Sequence, residues 1–256
     1  MSDLQIELVP ALADNYCALV HDANSGETAA IDAPDAKVIE AALAARGWRL
    51  TRIFVTHHHN DHTAGIAALR ANYGCAVTGP DLEAERIAGL SEGVLAGSAV
   101  TFAGQPVQVL ETPGHTLGHL TYYFPQSGVA FTGDTLFALG CGRIFEGDPE
   151  VMWASLLKIA ALPDDTKIYC GHEYTQANAR FALTVEPENE ALKARAEDVA
   201  ALRAAGKPTL PTTIALEKAT NPFLRPQSRA IRARLGLEGA PDWMVFARLR
   251  QLKNKA

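Results

Sequence analysis

Cysteine is scarce: Cys17, Cys75, Cys141 and Cys170 are widely spaced, and no C-x-x-C pair occurs. That excludes a disulfide framework and a cysteine-built metal cluster, and it suits reduced thiols in a cytoplasmic chain. No apolar run reaches the roughly 18 residues that a bilayer-spanning helix needs, so no membrane partner is expected. The opening Met1-Ser2-Asp3-Leu4 lacks the basic start and apolar core of a secretory leader. Positive charge is short as well. Lys and Arg number 23 against 29 Asp and Glu, the formal net charge is −6, and no Lys- or Arg-rich run occurs, which argues against a nucleic-acid partner. The G-x-S-x-G elbow is missing, and no serine or cysteine carries a nucleophile's local pattern, which disfavours covalent catalysis. Repeats and low-complexity linkers are absent. The 256 residues, 48% hydrophobic, can bury the core of one large or two modest domains.

Histidine, by contrast, is concentrated. His57-His58-His59-Asn60-Asp61-His62 puts four metal-ligand candidates in the spacing H-x-H-x-D-H. The preceding Arg52 to Thr56 is apolar and β-branched, and the segment from Thr63 has helical periodicity, so the motif lies where a strand ends and a helix begins. If the extended geometry continues, His57 and His59 point one way and His58 the other. Asp61 and His62 then approach the same space from the turn entering the helix, where they can serve a second metal. One lone histidine is more often a loop or core residue, but four ligands in six residues reverse that reading.

Three further ligand candidates share this strand-end context: His115, Asp134 and His172, each preceded by a glycine that would permit a tight turn or close backbone approach. Five histidines and two aspartates suffice for two metals. The expected division is His57, His59 and His115 on one, Asp61, His62 and His172 on the other, with Asp134 as the bridge. His58, His119 and His21 stay outside, His119 as a buried residue bonded to its neighbours and His21 as surface loop. Mixed His and Asp ligands suit zinc, with iron or manganese as alternatives.

The chain resembles the metallo-β-lactamase-fold hydrolases, and within them the glyoxalase II, or hydroxyacylglutathione hydrolase, family. The superfamily pattern is carried by H-x-H-x-D-H with His115, Asp134 and His172. The narrower one is carried by Ala13-Asp14-Asn15-Tyr16, Thr112-Pro113-Gly114-His115-Thr116, Gly140-Cys141-Gly142-Arg143, Gly171-His172-Glu173-Tyr174-Thr175 and Asn221-Pro222-Phe223-Leu224-Arg225. The resemblance implies hydrolysis of S-D-lactoylglutathione to D-lactate and glutathione, the second step of methylglyoxal detoxification. Hydroxide would be supplied at neutral pH by two divalent cations, with Asp134 and Asp61 in catalytic roles. A thioester fits because its leaving thiol, with a pKa of roughly 8.5, departs without a dedicated acid. Arg143, Phe145, Tyr174, Arg250 and Lys253 match positions that contact glutathione in the family. Some members have lysine at Arg143 and tyrosine at Phe145; phenylalanine can stack but offers no hydroxyl. In so acidic a chain an anionic substrate needs such a local basic cluster. The alternative for the C-terminal cations is a helix end complementing its own dipole, as is expected of the solvated Arg248 and Lys255. A lactonase or a single-iron persulfide dioxygenase remains the alternative function.

Strand-like runs at 3–9, 15–21, 28–32, 52–56, 98–103, 106–111, 119–124, 128–132 and 167–170 alternate with helical patterns near 35–46, 63–73, 81–89 and 150–161. The fold class is α+β: two sheets between helices, with the resemblance specifying an αββα sandwich. After His172 strand signals disappear, and helices are expected near 188–205, 226–235 and 241–253. The domains are therefore 1–173, catalytic, and 174–256, a smaller helical substrate-binding domain. The expected partner is a small glutathione thioester, acted on by a monomer.

Overall fold

The computed structural model describes residues 4–256. Residue 3, in the first expected strand, lies outside them. The first sheet contains β1 (Gln5–Ala11), β2 (Asn15–His21), β3 (Thr28–Ile31), β4 (Arg52–Phe54), β5 (Ala76–Pro80) and β6 (Glu92–Val94) in that spatial order. β1 to β3 pair antiparallel, and β3 to β6 pair parallel. Crossing helices α1 (Ala36–Arg46), α2 (Asn60–Thr63) and α3 (Ile66–Tyr73) make the connections from β3 to β4 and from β4 to β5, and a 3-10 turn, Asp81–Arg86, lies between β5 and β6. The second sheet contains β7 (Val100–Phe102), β8 (Gln105–Glu111), β9 (Leu120–Phe124) and β10 (Val129–Gly133); after the hairpin β11 (Leu136–Phe137) and β12 (Gly140–Cys141) come its other members, β13 (Lys167–Cys170) and β14 (Thr212–Thr213). Their spatial order is β14-β13-β10-β9-β8-β7.

Period-2 alternation makes this a four-layer structure. In β2, Ala18 and Val20 face the second sheet while Cys17 and Leu19 face α1 and α3; in β9, Tyr122 and Phe124 face the first sheet while Tyr123 faces outward. Phe54, Phe102, Tyr122, Phe124 and Phe131 fill the space between the sheets. Strands covered on both faces read as nearly continuous apolar runs, and β9 and β10 are buried at every position. The expected αββα sandwich is thus present.

Helix α4 (Pro149–Ala160) lies on the outer face of the second sheet, started by the Asp148 cap and Pro149. The chain then runs through α5 (Thr175–Val185), α6 (Glu190–Ala204), α7 (Ile214–Thr220), α8 (Arg229–Leu235) and α9 (Asp242–Lys253). Val245, Phe246 and Leu249 of α9 share one apolar cluster with Met152 and Leu156 of α4 and Tyr123 of the sheet.

Four expectations are corrected. Strand structure does return after His172, because Thr212–Thr213 pairs antiparallel with Lys167–Ile168; two residues are too few for periodicity to register. The helix expected over 63–73 is broken at Gly65, whose N–H donates to Ala33 O at 2.8 Å and where a Cβ would lie 2.7 Å from Ala36 N. The helix expected over 81–89 is a 3-10 turn, Asp81–Arg86. His21 ends β2 and stacks on Trp48 at 4.5 Å, so it is half-buried strand and not surface loop.

Candidate metal centre and cleft

Loops leaving β4, β8, β10 and β13 converge at one end of the sandwich and carry His57 to His62, His115, Asp134 and His172. Backbone hydrogen bonds lace the loops together: Leu120 N donates to Thr56 O at 2.9 Å, Gly171 N to Gly133 O at 3.0 Å, and Tyr16 N to Gly171 O at 2.8 Å. Crowding explains two of the glycines. A Cβ on Gly171 would lie 2.7 Å from both Asp134 Oδ1 and His62 Cε1, and Gly133, at φ +46°, would press on Thr56 and His119.

The hydrogen bonds decide which imidazole nitrogen faces inward. His115 Nδ1 donates to Arg143 O at 2.9 Å, His62 Nδ1 to Asp32 Oδ2 at 2.8 Å, and His172 Nδ1 to Asp14 Oδ1 at 2.8 Å. Thr56 Oγ1 spends its proton on Asp32 Oδ2 at 2.8 Å and therefore accepts from His57 Nδ1 at 2.9 Å. In each neutral ring Nε2 is left as a bare lone pair. His57 Nε2 and His115 Nε2 both stand 3.0 Å from His59 Nδ1, and His62 Nε2 stands 3.3 Å from His172 Nε2. Converging lone pairs are a donor set for a cation.

The ligand atoms fall into two principal groups, His57, His59 and His115 in one and Asp61, His62 and His172 in the other, each within 4.8 Å of one another. Asp134 stands between them: Oδ2 is 3.4 Å from His115 Nε2 and 3.3 Å from His172 Nε2, and Oδ1 is 3.5 Å from His62 Nε2. Oδ1 is buried without a hydrogen-bond partner. A buried, orphaned carboxylate oxygen is costly unless a cation meets it. The residues present therefore fit a dinuclear metal site.

Electrostatics agree. Burial, with His115, His58 and His62 nearby, lowers His59 to about 4 and keeps His57 well below the usual histidine range, so both rings are neutral at pH 7. Burial opposes charge on His62 as well, but Asp134, Asp32 and Asp61 outweigh it and raise that ring to about 9. The negative field that does so would also hold a cation. Burial raises Asp134, yet the imidazoles of His62, His172 and His115 pull it well below the ordinary carboxylate range.

Above these groups opens a cleft of about 480 Å³. Arg143, Tyr174, Arg250 and Lys253 line it, with Phe145 at its rim. Tyr174 lies flat on His172, centroids 4.7 Å apart and planes within 5°. Phe145, 60% exposed, meets His59 and His115 edge-on at 5.7 and 5.1 Å. Arg250 Nη1 donates to Cys141 O at 2.7 Å and Nε to Asn254 Oδ1 at 3.0 Å. Lys253 Nζ donates to Ala177 O at 3.2 Å.

All seven expected ligands thus lie together, and all five expected substrate contacts line the adjoining cleft. His58 turns away from both groups onto Glu83, and Arg248 and Lys255 are exposed. His119 has both nitrogens committed: Nδ1 meets the Thr112 and Thr135 hydroxyls at 3.0 and 3.1 Å, and Nε2 accepts from Asp134 N at 3.0 Å. Sequence reasoning assigned no role to Asp32, Asp14 or Asn15. Asp32 directly follows β3, in the same strand-end context as the ligand candidates, which is a usable signal. Asn15 Nδ2, donating to Asp61 Oδ2 at 3.0 Å, belongs to the residue that starts β2, a position that gives no such sign.

The sandwich and its array of histidines and aspartates define a member of the metallo-beta-lactamase superfamily, whose model matches residues 20–172. Two solved structures have a similar fold. BLEG-1 B3 metallo-beta-lactamase is 22% identical with a TM-score of 0.66, covering 86% of this chain and 100% of that one. ETHE1 from Myxococcus xanthus is 25% identical with a TM-score of 0.67, covering 96% of each. A further model, hydroxyacylglutathione hydrolase C-terminus, matches residues 173–256. Proteins named hydroxyacylglutathione hydrolase from Brucella ovis and Brucella melitensis are each 57% identical over 251 residues, 98% of this chain and 98% of theirs. The chain belongs to the hydroxyacylglutathione hydrolase family.

Proposed function

We propose that the chain hydrolyses S-D-lactoylglutathione and related hydroxyacylglutathione thioesters, releasing the hydroxy acid and glutathione. The observation that carries this reading is the cationic cleft opening directly onto the two ligand groups and Asp134. His57, His59 and His115 would hold one cation and Asp61, His62 and His172 the other, with Asp134 shared, and zinc suits this nitrogen and oxygen set. Two bound cations would polarise the thioester carbonyl and lower the pKa of a water towards about 7.

The chain's own residues supply the rest. Arg143, Arg250 and Lys253 would take the carboxylates of the glutathione moiety and fix the thioester over the floor of the cleft. Tyr174, flat on His172, offers an aromatic wall with a hydroxyl that burial and the charge of Asp14 keep protonated and able to donate. Asn15 steadies the Asp61 carboxylate. Cys141 lines the cleft, but burial raises its pKa despite Arg250 beside it, so it stays a neutral thiol and no nucleophile. Residues 1–173 would then form the catalytic unit and 174–256 the substrate-binding unit of a cytoplasmic monomer. Among the described residues no helix is long and apolar enough to cross a membrane.

The test follows thioester loss from S-D-lactoylglutathione beside the lactoyl thioester of a simple thiol, using metal-replete protein. Fast turnover that favours the glutathione thioester is expected. No turnover of either, with two cations bound, sinks the reading.

A further inference from the structure

The family pattern names ligands but does not explain why His58, flanked by two of them, stays out of the cluster. The explanation lies on the 3-10 turn after β5. Glu83 is 3% exposed, and the three hydrogen bonds to its carboxylate come from the two loops that carry His57, His59 and His115. Oε2 accepts from the His58 backbone N–H at 2.7 Å and from His58 Nδ1 at 2.8 Å. Oε1 accepts from the Gly118 N–H at 2.8 Å. The far nitrogen of His58 faces Glu146 Oε1 at 3.8 Å, so acids hold the ring at both ends. Gly118 is shaped for the contact, since a Cβ there would lie 2.6 Å from Glu83 Cγ.

We propose that Glu83 is a positioning residue for one metal site alone: a single buried carboxylate clamps the His57-to-His59 loop to the His115 loop and withdraws His58 from competition. The proposal rests on the ligand assignment made above. The other group is supported without Glu83, by Asp32 on His62, Asp14 on His172 and Asn15 on Asp61, with Asp32 also reaching His57 of the first group through Thr56. Asp32 is thus common to both sites, but Glu83 bonds the two loops of the first site and backs no ligand of the second, so damage to Glu83 acts on the first one. Glutamine in its place keeps one acceptor oxygen and turns an amide N–H₂ towards at least one N–H donor, so the clamp opens at one end.

The test reads cobalt binding to chelator-stripped full-length protein by visible absorption, without reference to turnover. Glu83→Gln is made in two backgrounds, His172→Ala, which disables the second group, and His59→Ala, which disables the first. Loss of a partner behind the ligands costs about 10- to 100-fold in metal affinity. A loss of that size is expected in the His172→Ala background, with a change under about twofold in the His59→Ala background. Equal weakening in both, or none in either, overturns the proposal. A parent protein that takes up fewer than two cobalt ions, or a His59→Ala variant that still takes up two, would instead bring down the ligand assignment. If circular dichroism shows Glu83→Gln unfolded, Gly118→Ala carries the same comparison, since its methyl displaces Glu83 from the other side. The same selectivity is expected of it, and unselective or absent weakening is again fatal.

Discussion

Replacing Arg250 by alanine separates substrate holding from chemistry. Arg250 is only 6% exposed, and its guanidinium lies over the Phe223 ring at 5.1 Å. Nε bonds Asn254 Oδ1 and Nη1 bonds Cys141 O and Sγ, and the Nη2 end of the fork is available to a carboxylate in the cleft. Losing a hydrogen bond to a charged group costs about 1.5 to 3 kcal/mol. At about 1.4 kcal/mol per decade, the KM for S-D-lactoylglutathione should rise about 10- to 150-fold. The bond exists in ground and transition states alike, so kcat should hold within a few-fold. Stability should fall too, by about 2 to 3 kcal/mol, from two hydrogen bonds and the contact with Phe223. Steady-state kinetics at a temperature where the variant stays folded, beside urea unfolding, separates the two effects. Arg250→Lys should recover only part of the KM loss, because one ammonium cannot reproduce the fork. A fall in kcat at unchanged KM, or an equal KM rise for a simple lactoyl thioester, would refute the reasoning.

Lys253 should give substrate binding a pH limit: burial and the charges of Arg250, Arg180 and Arg143 lower its pKa, so it loses its proton before an ordinary lysine does and KM should climb as the solution turns alkaline. Lys253→Met should flatten that limb of the log KM profile; an unchanged limb removes Lys253 from the site. Glu186 anchors the helical part through paired bonds of 2.9 Å to Arg225 Nε and Nη2, and these with Asn189 and Ser228 lower its pKa although burial raises it. A carboxylate lowered on folding contributes stability above its unfolded pKa and loses it as pH falls through the folded one. Glu186→Gln should thus cost about 3 kcal/mol at neutral pH and much less at acid pH, measured by denaturant unfolding at each; a pH-independent cost contradicts this. Gly171→Ala puts a methyl against Asp134 and His62, so metal content should drop from two ions per chain, and an unchanged content by elemental analysis would show that the loop yields.

Legibility in the sequence followed length and repetition. β2, β9 and β10 are long, buried on both faces and easily read, whereas β6, β11, β12 and β14 have two or three residues and carry no period. β14 is defined by its neighbour Lys167–Ile168, a tertiary relation that no window along the chain contains. The ligand candidates announced themselves because all lie in loops or turns that follow apolar strands. The residues holding them in place were less visible, because their roles depend on loops far apart in sequence. Asn15 meets Asp61 across 46 positions, and Glu83 reaches Gly118 across 35. A buried glutamate in a charged 3-10 turn, Asp81-Leu82-Glu83-Ala84-Glu85-Arg86, looks like any solvated helix end until the fold closes over it.

The apolar cluster that α9 shares with α4 and the second sheet has a mechanical meaning. Phe246 sits 5.9 Å from Trp153, and the same helix carries Arg250 and Lys253 one and two turns further on. The cations that would grip the peptide end of a thioester are therefore mounted on the outer wall of the sheets whose loops present the histidines. Such a mounting works as a calliper of set span. A thiol carrier of glutathione's reach would touch both jaws at once, a shorter one would touch a single jaw, and discrimination would come from length without any closing motion.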